Sequence, residues 1–233
     1  ERTTATISIN IDATPPVAGT LAFSNLTDSG VQADGISNDN TFDLSISGQE
    51  AGSTVVYQEL TGGAWIDLTG PNITGASDGE HTYRAKIIDV AGNESTTANI
   101  SILVDTTAPI VTPTIGSVAD DVAPITGTLS SGDSTDDKTP TLTGNVDPSG
   151  LADGSLVTIY DNGNVIGTAV ITDPATGAWS FTPSIDLNEG NHSLTVALVD
   201  PAGNKGNASP AFDLTIDTTA PSLTITTTDI TLS

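Results

Sequence analysis

The side chains best supplied for chemistry in this sequence are aspartates. The chain has 233 residues, with 29 acidic against 5 basic ones and a formal charge of −24. Carboxylate oxygens in that excess are the hard ligands that calcium prefers. Other chemistries are poorly provided for. Cysteine is absent, which removes thiol nucleophiles, thiolate-bound zinc and disulfides. Only two histidines, His81 and His192, could support a catalytic triad or an imidazole-rich metal site. No pocket-forming insertion accompanies the many carboxylates, so the chain is expected not to be an enzyme.

The aspartates fall into a repeat. Asp105-Thr106-Thr107-Ala108-Pro109 recurs letter for letter as Asp217-Thr218-Thr219-Ala220-Pro221, with a looser copy at Asp12-Ala13-Thr14-Pro15-Pro16. The spacings, 93 and 112 residues, each suit one β-sandwich of ~100 residues. Between the linkers, Asp89-Val90-Ala91-Gly92-Asn93 matches Asp200-Pro201-Ala202-Gly203-Asn204, and Thr61-Gly62-Gly63-Ala64-Trp65 matches Thr176-Gly177-Ala178-Trp179. The length difference between the units is assigned to a hairpin around Asn162-Gly163 that the first unit lacks. The expected organisation is 1–11, the last strand of a preceding repeat; 12–105 and 106–217, two domains; and 218–233, a linker with the first strand of a following repeat.

Short segments rich in Val, Ile and Thr alternate in polarity, as in 41–46 and 192–199, and Gly, Asn, Asp and Pro punctuate the gaps. With 23 glycines beside a 36% hydrophobic fraction, the apolar share is about 46%, as in globular chains. The fold class expected is all-β: two tandem immunoglobulin-like β-sandwich domains in an elongated rod. Strands are expected near 17–24, 41–47, 53–60, 64–68, 71–75, 80–89 and 96–104, then near 110–118, 139–145, 154–160, 164–172, 178–182, 191–199 and 208–216.

In a seven-strand sandwich the chain direction alternates, so alternate loops gather at opposite poles. That places Asp28, Asp34 and Asp39 of the first unit beside the linker at Asp105. Asp200 and Asn204 of the second unit, with Asp147 and Asp153, should approach the same linker. Equivalent sites are expected at Asp12 with Asp89 and Asn93, and at Asp217 with Asp120, Asp121, Asp133, Asp136 and Asp137. Two carboxylates ~4 Å apart at an effective dielectric near 20 repel by ~4 kcal/mol, and five basic residues cannot neutralise them all. Calcium, bound by extracellular modules with Kd ~10⁻⁴–10⁻³ M, could. The competing reading is local: Asp and Asn are common in turns because their side chains bond nearby backbone groups. No contiguous EF-hand pattern occurs, so any ligands come from separated loops.

Trp65 and Trp179, at matched positions, are expected in or near the core rather than as sugar platforms. His81 and His192, also matched, are expected to be structural. Tyr83 resembles the corner tyrosine of sandwiches, while its counterpart is Leu194. Pro109 and Pro221 bias the linkers to be extended.

The Ala-Gly-Asn loops, the Asp-Thr-Thr-Ala-Pro linkers, the stretch from Thr135 to Gly144 and the Gly-Ala-Trp pairs together resemble the bacterial immunoglobulin-like (BIg) repeats of giant, type I-secreted RTX-type surface adhesins. The resemblance covers essentially the whole chain. It implies a calcium-rigidified extender segment at the bacterial cell surface, projecting a distal ligand-binding tip. Its partners would be neighbouring repeats of the same chain and calcium ions, and the chain would be monomeric. Alternatives are a glycan- or protein-binding module, or an accessory domain of a secreted polysaccharide-degrading enzyme. The acidic field opposes nucleic-acid binding, and no apolar run approaches the ~20 residues of a membrane helix.

Overall fold

The computed structural model describes residues 7–169 and 171–223. They form two compact units. The first runs through Ala108 and takes in Ala152–Gly154 and Val199–Lys205; the second comprises Pro109–Leu151, Ser155–Leu198 and the chain from Gly206.

Among the described residues, nine strands build the first sandwich: β1 (Thr20–Ser24), β2 (Ile36–Ser37), β3 (Thr41–Ser47), β4 (Thr54–Thr61), β5 (Ala64–Asp67), β6 (Asn72–Thr74), β7 (Gly79–Ile88), β8 (Glu94–Thr96) and β9 (Ile100–Val104). One sheet has the order β1-β3-β6; the other is β2-β9-β7-β4-β5, with β8 pairing β7. Pairing is antiparallel except for β2, which lies parallel to β9 with Ile36 opposite Leu103. Because successive side chains in a strand face opposite ways, β7 turns Tyr83, Ala85 and Ile87 inward. They meet Leu21, Phe42, Leu44, Ile102 and Val104 in a single core. Phe23, Phe42 and Tyr83 meet edge to face, with centroids 5.4 to 6.2 Å apart, an arrangement that adds roughly 0.5–1.5 kcal/mol per pair beyond burial.

The second sandwich follows the same path through β10 (Thr114–Asp120), β11 (Gly127–Leu129), β12 (Ser134–Thr135), β13 (Thr141–Asn145), β14 (Leu156–Asp161), β15 (Asn164–Ala169), β16 (Ile171–Asp173), β17 (Ala178–Phe181), β18 (Gly190–Val199), β19 (Lys205–Ala208) and β20 (Phe212–Ile216). Its sheets are β11-β10-β13-β17-β16 and β12-β20-β18-β14-β15, with β19 pairing β18. Val118, Leu142, Ile159, Trp179, Leu194, Leu198 and Leu214 are among the residues filling the core. The all-β class and the two immunoglobulin-like domains expected from the sequence are what the structure shows.

Topology corrects one sequence alignment. Trp179 sits on β17, opposite Gly144 of β13, and is 1% exposed. Trp65 sits on β5, opposite Leu60 in the other type of sheet, half-buried, with the Arg84 guanidinium 4.1 Å from its ring centroid. The two tryptophans are therefore not equivalent; the similar Thr-Gly-Ala-Trp letters lie in different strands. Nor does the first unit lack the hairpin. Gly62 and Gly63, at φ +59° and +82°, turn β4 into β5 as Asn162 and Gly163, at +48° and +83°, turn β14 into β15, the geometry of a two-residue type I′ turn. The second unit's additional strands are β11 and β16. Of the terminal strands expected for neighbouring repeats, residues 1–6 and 224–233 lie outside the described residues, and 7–11 are in no strand, with Ile7, Ile9 and Ile11 exposed.

Candidate functional site

The repeated motifs converge on the linkers. In the loop after β7, Asp89 and Asn93 close a tight turn: the Asp89 N–H donates to the Asn93 carbonyl at 3.1 Å, and the Gly92 N–H donates back to Asp89 at 3.2 Å. Gly92, at φ +93°, supplies the left-handed corner. The Asp89 carboxylate accepts the Asn93 backbone N–H at 2.8 Å and its Nδ2 at 2.7 Å. The bond from the Asn93 side chain is the main reason that the Asp89 carboxyl titrates below its ordinary range. The same Nδ2 donates to the main-chain carbonyl of Asp12 at 3.2 Å.

The Ala-Gly-Asn loop of the second repeat reproduces this clasp. Asp200 accepts the Asn204 N–H and Nδ2 at 2.8 and 3.0 Å, and Nδ2 donates to the Asp105 carbonyl at 2.8 Å. Asp105, Asp200 and Asn204 all belong to the first compact unit. Within that unit Ser29 Oγ also donates to the Ala202 carbonyl at 2.6 Å, and the Val31 N–H to the Pro201 carbonyl at 3.0 Å.

The linker aspartates have two further ties. The Asp105 N–H donates to the Ser37 carbonyl at 2.9 Å, and the Asp217 N–H to the Thr135 carbonyl at 2.8 Å. Their carboxylates, like that of Asp12, each accept the N–H two residues on, from Thr107, Thr219 and Thr14, at 3.0 Å. These are Asx turns, the local use of Asp.

A second anchor holds the threonines after each linker aspartate. The Asp78 carboxylate accepts the Thr106 N–H at 2.9 Å, its Oγ1 at 2.7 Å and the Thr107 Oγ1 at 2.5 Å. These bonds, the one from the Thr107 side chain above all, hold its carboxyl below the usual range. Glu189 does the same for Thr218, accepting its N–H at 3.1 Å and bonding its hydroxyl, and it too titrates low, chiefly because of the Thr218 hydroxyl. Asp78 and Glu189 are absent from the candidates read from sequence. The signal was present: Asp78-Gly79-Glu80-His81 and Glu189-Gly190-Asn191-His192 are one acidic-Gly-x-His pattern.

The remaining candidate ligands serve mainly in turns. Asp28 accepts the Ala33 N–H at 2.5 Å, Asp34 the Ile36 N–H at 2.9 Å, and Asp39 those of Thr41 and Thr27 at 3.0 and 2.8 Å. Asp147 caps the short 3₁₀ turn Pro148–Gly150, bonding the Ser149 N–H at 2.9 Å, which lowers its pKa. In the second unit, the buried Asp120 takes the Val122 N–H at 2.9 Å and the Thr135 hydroxyl at 2.6 Å; Asp133 takes the Ser130 N–H at 2.7 Å. Asp137, fully buried, accepts from Thr139 at 2.8 Å and from the Asp121 N–H at 3.3 Å. Asp120, Asp133, Asp136 and Asp217 line one open depression of about 720 Å³ with the linker residues Thr218 to Pro221. Asp153 lies in the short segment Ala152–Gly154 of the first unit.

The donor chemistry of this set, all hard oxygen, fits calcium. Among the described residues no three acidic, His or Cys side chains are already gathered as a metal cage, so capturing an ion would require carboxylates to turn from their present partners.

Residues 14–106 and 111–218 both match the bacterial Ig-like domain family. No curated protein sequence matches the chain. Among solved structures, the fibronectin(III)-like modules of Clostridium thermocellum CbhA are 15% identical over 84% of this chain and 94% of theirs, with a TM-score of 0.50, a likeness of fold. A tetra-tandem repeat from the extending region of a large adhesion protein is 22% identical over 87% of this chain and 50% of that one, with a TM-score of 0.31. A 1.5-MDa bacterial ice-binding adhesin gives 17%, 85%, 64% and 0.31 for the same quantities. With the family covering nearly all of the chain in two consecutive copies, the protein belongs to the bacterial Ig-like domain family.

Proposed function

We propose that this chain is an extender segment of a bacterial cell-surface adhesin, non-catalytic and extracellular, whose repeats carry a distal ligand-binding tip and are stiffened by calcium at their acidic linkers. The observation that carries this reading is the clasp made twice over, Asn93 on the Asp12 carbonyl and Asn204 on the Asp105 carbonyl. A binding protein needs one good site; a spacer needs the same joint at every boundary. The resemblance of the linkers to adhesin repeats points the same way. The residues that would hold calcium are the carboxylates of Asp120, Asp133, Asp136 and Asp217 around their shared depression, and the linker aspartates with Asp89 and Asp200. Bound there, calcium would neutralise carboxylates in a chain whose 29 acidic residues far outnumber its 5 basic ones.

A glycan-binding role finds little support at the indoles, since Trp179 is buried and Trp65 is covered by Arg84. Thermal unfolding in rising calcium tests the proposal. A ligand bound only by the folded state raises stability by ~2.7 kcal/mol at a hundred times its Kd. Tm should climb with calcium in the millimolar range and fall back on chelation. A Tm indifferent to calcium would remove the metal from the proposal.

A further inference from the structure

Behind each Thr-binding carboxylate stands a histidine with both ring nitrogens engaged. His81 places Nδ1 2.6 Å from Glu59 Oε1 and Nε2 2.8 Å from the Ser77 carbonyl. His192 places Nδ1 2.7 Å from Asp161 Oδ2 and Nε2 2.8 Å from the Asn188 carbonyl. A carbonyl oxygen accepts and cannot donate, and an ionised carboxylate is likewise acceptor only. With an acceptor at each nitrogen, both hydrogen bonds are made together only by a doubly protonated ring. A neutral ring would turn one lone pair toward an oxygen lone pair.

The carbonyls being held are not arbitrary. Ser77 and Asn188 immediately precede Asp78 and Glu189, the residues that grip Thr106 and Thr218. The ring thus fixes the backbone from which the anchoring carboxylate projects, in both domains, at the same point before β7 and β18.

We infer that the rings of His81 and His192 position the acidic anchors of the outgoing linkers, and that in the first domain loss of the His81 ring proton releases Thr106 from Asp78. The groups facing the rings agree with this. His81 meets Glu59 on β4 and stacks on Tyr83 of its own strand, at 6.2 Å between centroids and 8° between planes. Burial disfavours its charge, yet the Glu59 carboxylate and Ser77 carbonyl together raise its pKa above the ordinary histidine value. His192 is 6% exposed and meets Asp161 on β14, while Asp213 of β20 lines the same shallow depression. Asp161 Oδ1 is buried without a hydrogen-bond partner, which leaves the His192 ring, on Oδ2, as the contact that holds this carboxylate.

The linkage has a definite sign. A ring whose proton is bound more tightly in the anchored state keeps the anchor at low pH and gives it up as pH rises through the anchored-state pKa. The device requires no metal and stands whether or not calcium is bound.

The test is an NMR titration of the whole 233-residue chain in chelator, from about pH 5.5 to about pH 10, following the His81 ring and the Thr106 amide. The Thr106 shift should titrate with the ring's midpoint. Above it, the amide's protection, corrected for intrinsic exchange, should fall, by up to about tenfold for each unit that separates anchored from released pKa. In His81→Gln the protection of Thr106 should be low at every pH, while Thr218, served by His192, keeps its own profile and reports that the second domain is folded. Should the variant unfold the first domain, the wild-type titration still decides. A Thr106 amide that stays flat while the ring titrates, or a ring that keeps its proton to the end of the range, overturns the inference.

Discussion

Asn204 donates its side-chain amide to the main-chain carbonyl of Asp105 across 99 residues of sequence, at 2.8 Å, while the same amide steadies the Asp200 carboxylate at 3.0 Å. One side chain therefore joins the motif inside a domain to the motif between domains. That is a physical reason for Ala-Gly-Asn and Asp-Thr-Thr-Ala-Pro to travel together.

Removing that amide should cost stability at once. Asn204→Ala deletes one bond to a carbonyl and one to a carboxylate that is itself buried, a loss of about 1–3 kcal/mol, and Asn93→Ala should cost less because Asp89 is more exposed. Asn204→Asp should be worse than alanine, since it sets a second negative charge against Asp200. Urea unfolding measures all three. An Asn204→Ala variant within ~0.3 kcal/mol of wild type would show the clasp to be incidental.

The two tryptophans should part company on truncation. Trp179→Ala opens a cavity in the second core and should cost about 3–5 kcal/mol. Trp65→Ala loses a half-exposed face and a cation–π contact and should cost about 1 kcal/mol or less. Equal losses, by denaturant titration, would mean that the topological distinction drawn between β5 and β17 is wrong.

Much of this was open to reading from sequence, for reasons that also explain what was not. Strands such as β3, β7 and β18 announce themselves because each buries one face, and the linkers because they repeat. The sequence match of Trp65 to Trp179 failed because four similar letters carry no strand pairing; only the sheets reveal that β6, not the β5 that carries Trp65, lies beside β3 as β17, which carries Trp179, lies beside β13. The two-residue strands β2 and β12 are too short for any periodicity. The aspartates were legible as a repeated feature, but the Asx turns at Asp12, Asp105 and Asp217 show that each also has a local task.

Glycines in β10 and β13 offer a paired check on packing. A Cβ on Gly144 would collide with the Thr114 carbonyl and come within 2.5 Å of the Trp179 ring, whereas one on Gly116 would meet nothing nearer than 3.6 Å. Gly144→Ala should destabilise the second domain by about 1–3 kcal/mol or more, and Gly116→Ala should be neutral or slightly stabilising. Calorimetry that ranks them the other way would contradict the contact between β13 and β17.

Stability should be greatest in mildly acidic solution and fall on both sides. Asp78, Asp89 and Glu189 have lowered folded pKa values, so their contribution is present above the unfolded carboxylate range and is lost as pH drops through the folded values. His81 has a raised one, so its contribution is complete below the unfolded value near 6.5 and fades as pH climbs through the folded value. Denaturant midpoints across pH should show this two-sided profile, and His81→Gln should weaken the alkaline limb. An alkaline limb unchanged by the substitution would assign it to another group.

The central claim, that calcium stiffens the segment, is tested most directly by small-angle X-ray scattering of the 233-residue chain in excess calcium and in chelator. The maximum dimension should be larger, and the distribution of distances narrower, with calcium present. Superimposable curves in the two buffers would contradict the claim and leave the linker to hydrogen bonds such as those of Asn204 and Asp78.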